Sequence, residues 1–363
     1  MEAPVKTGKI RSPGRDIRLP SISEADAGDR LHICVGFSCN NNCVFCMEDN
    51  RKDRHNRLKA QTPEDVRKML LASKTVNSIM FTSGEPTLHE NLPKYASWAR
   101  TMGFGTVGLI TNGRMFSYRE YARILLKNGL NHILVSIHGH NAKLHDSLTR
   151  TKGSFDQTFA GLKNLSGLKS EYNFMIHTAT VLNKRNLGFL REFYSAMEPL
   201  NIDQHVFNVI MPQGRGSSHF RSLMPRYSET AGKFMEFVSS LPEEAARKVF
   251  LLDIPYCTTE GLPDHARGSV ERYFHYEQDG SAEMARDAAE QAHSPVSDKE
   301  LLQRGSLEGE KFSYSRVEKS YHDAIIREKR DECLRCKFNP FCKGVWRQYL
   351  DNFGWDEFKP VNG

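Results

Sequence analysis

Short apolar runs alternate with stretches of helical spacing through the first two thirds of the chain. Leu31 to Gly36 is the first run, followed by Ser78 to Thr82, Thr106 to Thr111, Asn131 to His138, Asn173 to Val181 and Gln204 to Ile210. Between them, helix signals cover about Leu92 to Met102, Tyr118 to Lys127, Phe155 to Leu165 and Leu187 to Met197. Thr62-Pro63-Glu64-Asp65 supplies an N-cap and then a proline at the first helical position, which opens a further helix reaching about Ser73. Six such repeats through about residue 215 predict an α/β fold in which helices cover a parallel sheet, and right-handed crossovers curve that sheet into a partial barrel. Ligands of such sheets gather at the carboxyl ends of the strands, so the residues just after each apolar run are where chemistry belongs.

Beyond Gly216 the pattern changes. An amphipathic helix is expected from about Ser228 to Ser240, and the final run Gly344 to Phe358 has an apolar face at helical spacing. The stretch from about Asp279 to Glu310 is rich in Ala, Ser, Glu, Asp and Gln and reads as a mobile solvated insertion, with Ala282 to Ala292 compatible with a helix. The expected organisation is a tail over residues 1–30, a barrel over 31–216 and a cysteine-rich region over 217–363.

Cysteines supply the chemistry. Cys39, Cys43 and Cys46 share one short loop after the first apolar run, spaced by three and then two residues. Thiolates are soft ligands suited to iron-sulfur clusters or zinc, and this spacing is neither a pair of zinc knuckles nor the four-cysteine run of a ferredoxin. Three thiolates hold three corners of an iron-sulfur cube and leave the fourth iron open. The competing reading is a loop with incidental buried cysteines. Far downstream, Cys333, Cys336 and Cys342 form a Cys-x2-Cys-x5-Cys run, and Cys257 after Pro255-Tyr256 completes four thiolates, for which zinc competes with iron. Cys257 has two other readings, a hydrogen-atom donor to a substrate radical or a core residue. Cys34, in an apolar run, is read as structural.

The segment Cys39, Cys43, Phe45 and Cys46 resembles the Cys-x3-Cys-x-aromatic-Cys signature of the radical S-adenosylmethionine (radical SAM) enzymes. The resemblance implies a 4Fe-4S cluster on those thiolates, with S-adenosylmethionine on its open iron, and a six-stranded partial (β/α)6 TIM-like barrel. Ser83-Gly84-Glu85-Pro86 looks like the family's Gly-Gly-Glu-Pro segment that receives the methionine ammonium, with Ser83 in place of the first glycine. Glu85 is the anionic group there, and a plain turn is the other reading. Ser136 and Arg150 fall where the family's ribose and carboxylate contacts would be, with a strand-end serine and a solvated arginine as the other readings. Thr111-Asn112-Gly113 is also familiar, but a turn explains it, and no chemistry is assigned to it. The C-terminal cysteines resemble the SPASM or shorter Twitch extension, which implies one auxiliary 4Fe-4S cluster on Cys257, Cys333, Cys336 and Cys342. A full SPASM run would have a further cysteine where Trp346 stands.

Composition limits the remaining classes. The chain has 363 residues, 39% hydrophobic and 26% charged, as in a globular protein. No stretch approaches the roughly 18 apolar residues of a membrane span, and residues 1–28 lack a signal-peptide core, so a cytoplasmic location is expected. Eight cysteines in a reducing compartment argue for metal or catalysis over disulfides. The net charge of +6 does not call for nucleic acid, and the basic run Arg51 to Lys59 suits a solvated loop that helps an anionic substrate or a flavodoxin or ferredoxin-type reductant approach.

Two classes of function follow. One is a radical SAM enzyme acting on a small molecule or natural product, or alternatively on a peptide. The other is a non-catalytic iron-sulfur or zinc protein for electron transfer or assembly, which does not need Ser83 to Pro86, Ser136 or Arg150. Only about thirty residues precede the barrel, with no winged-helix peptide-recognition module among them, which tilts the reading toward a small molecule, and with no cobalamin domain, which speaks against a B12-dependent methyl transfer.

Overall fold

The computed structural model describes residues 30–47, 61–73, 76–262, 273–278, 306–309, 312–318, 327–340 and 342–362. The expected tail (apart from Arg30), the basic run Arg51 to Lys59 and most of the Asp279–Glu310 insertion lie outside the described residues.

Seven parallel strands stand side by side in chain order: β1 (Arg30–Cys34), β2 (Ser78–Thr82), β3 (Thr106–Thr111), β4 (His132–Ser136), β5 (Met175–Leu182), β6 (Gln204–Val209) and β7 (Val249–Leu252). The crossovers are α1 (Pro63–Ala72), α2 (Leu92–Thr101), α3 (Arg119–Lys127), then α4 (Ala142–Thr149) with α5 (Ser154–Leu168), and α6 (Leu190–Met197). Between β6 and β7 come α7 (Arg215–Ser218), α8 (Phe220–Leu223), α9 (Tyr227–Ser239) and α10 (Glu243–Ala246). The seventh strand lies past the expected end of the barrel, because four apolar residues are too short a run to distinguish from helix by pattern.

On the other edge of the sheet, β8 (Tyr273–Gln278) runs parallel to β1, and β10 (Phe312–Glu318) pairs antiparallel with both β8 and β9 (Ser306–Gly309). Strand β9 falls within the expected insertion. A two-stranded ribbon, β11 (Arg327–Glu328) and β12 (Val345–Trp346), precedes the last helix α11 (Arg347–Phe353).

Period-two alternation sorts the parallel sheet into two faces. Leu31, Ile33, Ile79, Phe81, Val107, Leu109, Ile133, Val135 and Ile176 are fully buried and form the core under the helices. The opposite face carries polar residues low on the strands, among them Ser78, His132, His177 and Gln204, all buried. His132 Nε2 and His177 Nδ1 meet there at 3.0 Å.

Thr62 caps α1 as its sequence predicts: its hydroxyl accepts from the Asp65 N–H, and the Asp65 carboxylate accepts from the Thr62 N–H at 2.8 Å. Helix α4 is an element the hydrophobic pattern does not announce, since only eight residues separate its cap Asn141 from its end at Arg150. The final run is helical only from Arg347, with Val345 and Trp346 extended before it.

Candidate active site

Each functional element grows from the carboxyl end of a parallel strand. Past β1 the chain enters the loop that carries Cys39, Cys43 and Cys46, all half-buried. This loop is tied along its length. The N–H groups of Asn42 and Val44 donate to the carbonyls of Thr149 and Leu148 at the end of α4, at 2.8 and 2.9 Å. Arg114 Nη1 donates to the Asn40 carbonyl and to Asn41 Oδ1, the latter at 3.0 Å. Arg215, arriving from the end of β6, donates its backbone N–H to the Cys46 carbonyl at 2.9 Å and its Nη1 to the Asn42 carbonyl (3.2 Å) and Oδ1. The Asn40-Asn41-Asn42 spacer is thus held by two guanidinium groups. Phe45 is buried, and its ring stands edge-on to His138 with centroids 4.7 Å apart.

The turn after β2 is fastened directly to this loop. Ser83 and Gly84 both have left-handed backbones, with φ of 71° and 57°. A Cβ on Gly84 would stand 2.5 Å from the Ser38 carbonyl oxygen, so only glycine lets the two segments meet there. Ser83 takes the left-handed backbone that favours glycine. The Glu85 N–H donates to the Ser38 carbonyl at 2.7 Å.

The Glu85 carboxylate is nearly inaccessible and fully engaged. Its Oε1 accepts from Thr87 Oγ1 (2.5 Å), Thr111 Oγ1 (2.6 Å) and the Thr87 N–H (3.1 Å), while Oε2 accepts from the Asn112 N–H at 2.6 Å. Burial pushes its pKa above the usual carboxylate range, and the four donors pull the other way. Thr111-Asn112 after β3 is therefore a partner of the site. Asn112 continues the chain of contacts, with Nδ2 2.6 Å from Asn40 Oδ1 and 3.9 Å from Cys39 Sγ.

Ser136 is the last residue of β4 and half-buried. Arg150 ends α4 in a left-handed conformation (φ 51°), one residue past the carbonyl that anchors the cysteine loop. Its guanidinium is exposed and makes no ion pair with the described residues. Asp146 accepts from the Gly153 N–H (2.6 Å), the Phe155 N–H (2.8 Å) and Ser154 Oγ (2.9 Å), and so fixes the start of α5 behind Arg150. Burial raises the pKa of this carboxyl, but the three donors outweigh it and hold it below the usual range.

His138 packs against the same loop. Its Nδ1 accepts from the Val181 N–H at 3.2 Å, and its N–H donates to His145 Nδ1 at 3.1 Å, with the two rings stacked at 5.8 Å. Burial, together with the neighbouring ring, takes His138 well below its ordinary pKa, and burial takes His145 to about 4. Both are neutral at neutral pH. The loop clamps Arg114 and Arg215, the Glu85 partners Thr87, Thr111 and Asn112, and the histidine pair are missing from the sequence-based set. Of these, Thr111-Asn112-Gly113, His138 and Arg215 carry a sequence signal, their place just after a strand.

The second thiol group also follows a strand end. Cys257 lies in a helical turn (Tyr256–Thr258) just past β7, and Cys333, Cys336 and Cys342 lie on the connection between β11 and β12. Cys257 lies within electrostatic reach of the other three. Burial is the main cause of a Cys257 pKa pushed up to about 12, and the sulfurs of Cys342, Cys336 and Cys333 add to it. Tyr256 stacks on Phe338 with centroids 5.4 Å apart, which pins the two segments to each other. Trp346 is buried beneath the Arg327 guanidinium, 4.0 Å from the ring centroid, as a packing residue.

The donor chemistry at both thiol groups fits thiolate-held clusters. The Asn41 N–H reaches Cys39 Sγ, the Gly344 N–H reaches Cys342 Sγ and the Val361 N–H reaches Cys336 Sγ, each at 3.4 Å. N–H groups aimed at sulfur stabilise an iron-bound thiolate. Among the described residues, no three Cys, His, Asp or Glu side chains close on a single ion.

Comparison with known proteins agrees with this geometry. A family model described as the radical SAM superfamily matches residues 33–194. Fe-coproporphyrin III synthase of Methanosarcina barkeri is 32% identical over 213 residues, which is 56% of this chain and 50% of that protein. A probable GTP 3',8-cyclase of Saccharolobus islandicus is 27% identical over 197 residues, 53% of this chain and 60% of that one. The match therefore spans between half and three fifths of these relatives' own length. Streptococcus suis SuiB bound to S-adenosylmethionine superposes with a TM-score of 0.54 at 14% identity over 92% of this chain and 76% of that chain, a likeness of fold. The parallel sheet, the cysteine loop at the end of β1 and the family match lead to one conclusion: residues 33–194 of this chain match the radical SAM superfamily.

Proposed function

We propose that the chain binds a 4Fe-4S cluster through Cys39, Cys43 and Cys46 and S-adenosylmethionine beside it, and performs radical chemistry on a small-molecule or natural-product substrate. When bound there, these groups supply a 5'-deoxyadenosyl radical that takes a hydrogen atom from the substrate. The junction of the cysteine loop with the Ser83 to Pro86 turn carries the reading, because the Glu85-to-Ser38 bond holds the ammonium-receiving segment beside the thiolates. With all four Glu85 bonds used internally, its charge acts from behind the turn and stabilises an ammonium across the backbone of Ser83 and Gly84. Arg150, exposed and unpaired among the described residues, offers its guanidinium fork to the cofactor carboxylate, and Ser136 offers a hydroxyl to the ribose.

In the same reading Cys257, Cys333, Cys336 and Cys342 hold one auxiliary 4Fe-4S cluster, a ferredoxin or flavodoxin-type protein supplies electrons, and the location is the reducing cytoplasm. Among the described residues no helix is long and apolar enough to cross a membrane. The substrate class follows the names of the two curated relatives, which denote small molecules.

The test is iron and acid-labile sulfide per chain after anaerobic reconstitution, in the wild type and in a Cys39→Ala, Cys43→Ala, Cys46→Ala variant, together with 5'-deoxyadenosine formed on reduction. About eight irons falling to about four, with loss of the nucleoside product, is expected for two cubes. Reduction of the wild type without any 5'-deoxyadenosine would favour an electron carrier instead.

A further inference from the structure

Cys43 and Cys46 are the two ends of one turn, closed by the Cys46 N–H donating to the Cys43 carbonyl at 3.3 Å, with Val44 and Phe45 at its tip. Backbone bonds pin the chain on both sides of Phe45, at the Val44 N–H and at the Cys46 carbonyl. Phe45 itself makes no backbone hydrogen bond with the described residues. Its ring is buried against His138, edge-on at 77° with centroids 4.7 Å apart. Aromatic rings favour this edge-to-face arrangement.

His138 is anchored far more firmly than Phe45. Strand β4 leaves the sheet after Ile137, whose N–H still reaches the Ala179 carbonyl at 3.0 Å. The N–H of Val181, further along β5, meets His138 Nδ1 at 3.2 Å, so the imidazole stands in for a strand carbonyl. The His138 N–H donates to His145 Nδ1 in α4 (3.1 Å), and its carbonyl accepts from Asn186 Nδ2 on the connection between β5 and α6 (3.0 Å). Gly139 lets this corner pack closely, since a Cβ there would stand 2.6 Å from the His145 nitrogen. A ring bonded into the sheet in this way is a fixed stop for the tip of the thiol turn.

We propose that His138 is a positioning residue of the cysteine loop: through Phe45 it fixes the turn whose ends are Cys43 and Cys46, and so sets the direction in which the open iron faces S-adenosylmethionine. This rests on the reading that Cys39, Cys43 and Cys46 hold the cluster. His138 makes and breaks no bond. Its part is geometric, and a misplacement of about 1 Å costs up to about a hundredfold in rate.

The experiment separates the ring from its acceptor. Asparagine in place of His138 keeps an acceptor near the Nδ1 position but offers Phe45 no ring, whereas phenylalanine offers the ring and leaves the Val181 N–H without its partner. On anaerobically reconstituted protein, His138→Asn is expected to keep the wild-type melting point and iron content. Its 5'-deoxyadenosine formation at saturating S-adenosylmethionine falls about tenfold or more, and the electron paramagnetic resonance spectrum of the reduced cluster with the cofactor bound changes. His138→Phe is expected to melt lower yet form the nucleoside at close to the wild-type rate per iron-loaded chain. Phe45→Leu added to His138→Asn costs no further rate, because one residue acts through the other. A His138→Asn rate equal to wild type, or additive effects of His138→Asn and Phe45→Leu, would overturn the proposal and leave the cofactor reading intact. A His138→Phe protein as slow per iron-loaded chain as His138→Asn would assign the effect to the Val181 bond and overturn it too. A wild type that forms no 5'-deoxyadenosine would remove the cofactor reading and the proposal with it.

Discussion

Glu85→Gln tests whether the junction beneath the site depends on a carboxylate. The substitution keeps the shape, so no cavity forms, and it changes only what the two terminal atoms can accept. With its amide oxygen at the Oε1 position, glutamine retains the Thr87 and Thr111 bonds, but its NH2 then faces the Asn112 N–H across the 2.6 Å now spanned by a hydrogen bond. Flipping the amide would be worse, because three donors converge on Oε1. A hydrogen bond to a charged group contributes about 1.5–3 kcal/mol, and an orphaned buried N–H costs about 1–3 kcal/mol. Relief of the buried charge that raises the Glu85 pKa offsets part of this. The expected net loss is about 2–4 kcal/mol, or a melting point lowered by about 5–10 °C on the scale of larger domains. Anaerobic thermal unfolding followed by circular dichroism measures it, with iron per chain as the second readout, since the displaced Asn112 also reaches Cys39. A Gln variant with wild-type melting point and full iron would refute the argument, and would mean that Glu85 is held as the neutral acid.

Four further outcomes are expected. Arg114→Ala and Arg215→Ala should each lower iron retained at the first cluster while far-ultraviolet circular dichroism stays the same, because each removes an Nη1 that serves two acceptors on the asparagine spacer. Gly214→Ala should behave like a loop deletion in iron content, since Gly214 has φ 52° and a Cβ there would collide with the carbonyls of Cys46 and Met47. Cys257→Ala should remove about four irons and leave the 5'-deoxyadenosine-forming cluster in place, and unchanged iron by elemental analysis would detach Cys257 from the group. His132, His145 and His205 are buried with pKa values lowered to about 3, 4 and 4, mainly by burial, so each binds a proton more readily once unfolded. Their stabilisation is complete above the ordinary histidine value of about 6.5 and is lost as pH falls toward 4, at up to about 4 kcal/mol per pH unit for three protons. Urea midpoints that stay flat between pH 6.5 and 4.5 would contradict this.

The alternation of apolar runs with helical spacing determined the parallel α/β sheet, because burial on one face imposes period two on strands and period 3.6 on helices. The Thr62-Pro63 start of α1 and the helix near Ser228–Ser240 were readable for the same local reasons. Thiolate spacing also carries the metal chemistry proposed for Cys39, Cys43 and Cys46, since three ligands on one loop need no distant element to converge. Only the tertiary structure decided the rest. Strand β7 is too short to carry a period, and α4 has only Leu144 and Leu148 as large apolar residues, so neither has a pattern of its own. Glu85 was legible as an anion, but its full engagement by Thr87, Thr111 and Asn112 was not, because those partners come from the separate ends of β2 and β3. The grip of Arg114 and Arg215 on the asparagine spacer spans 73 and 173 residues of sequence. Likewise Cys257 joins Cys333, Cys336 and Cys342 only because β7 ends next to the β11–β12 connection, a juxtaposition produced by long-range packing that no local pattern records.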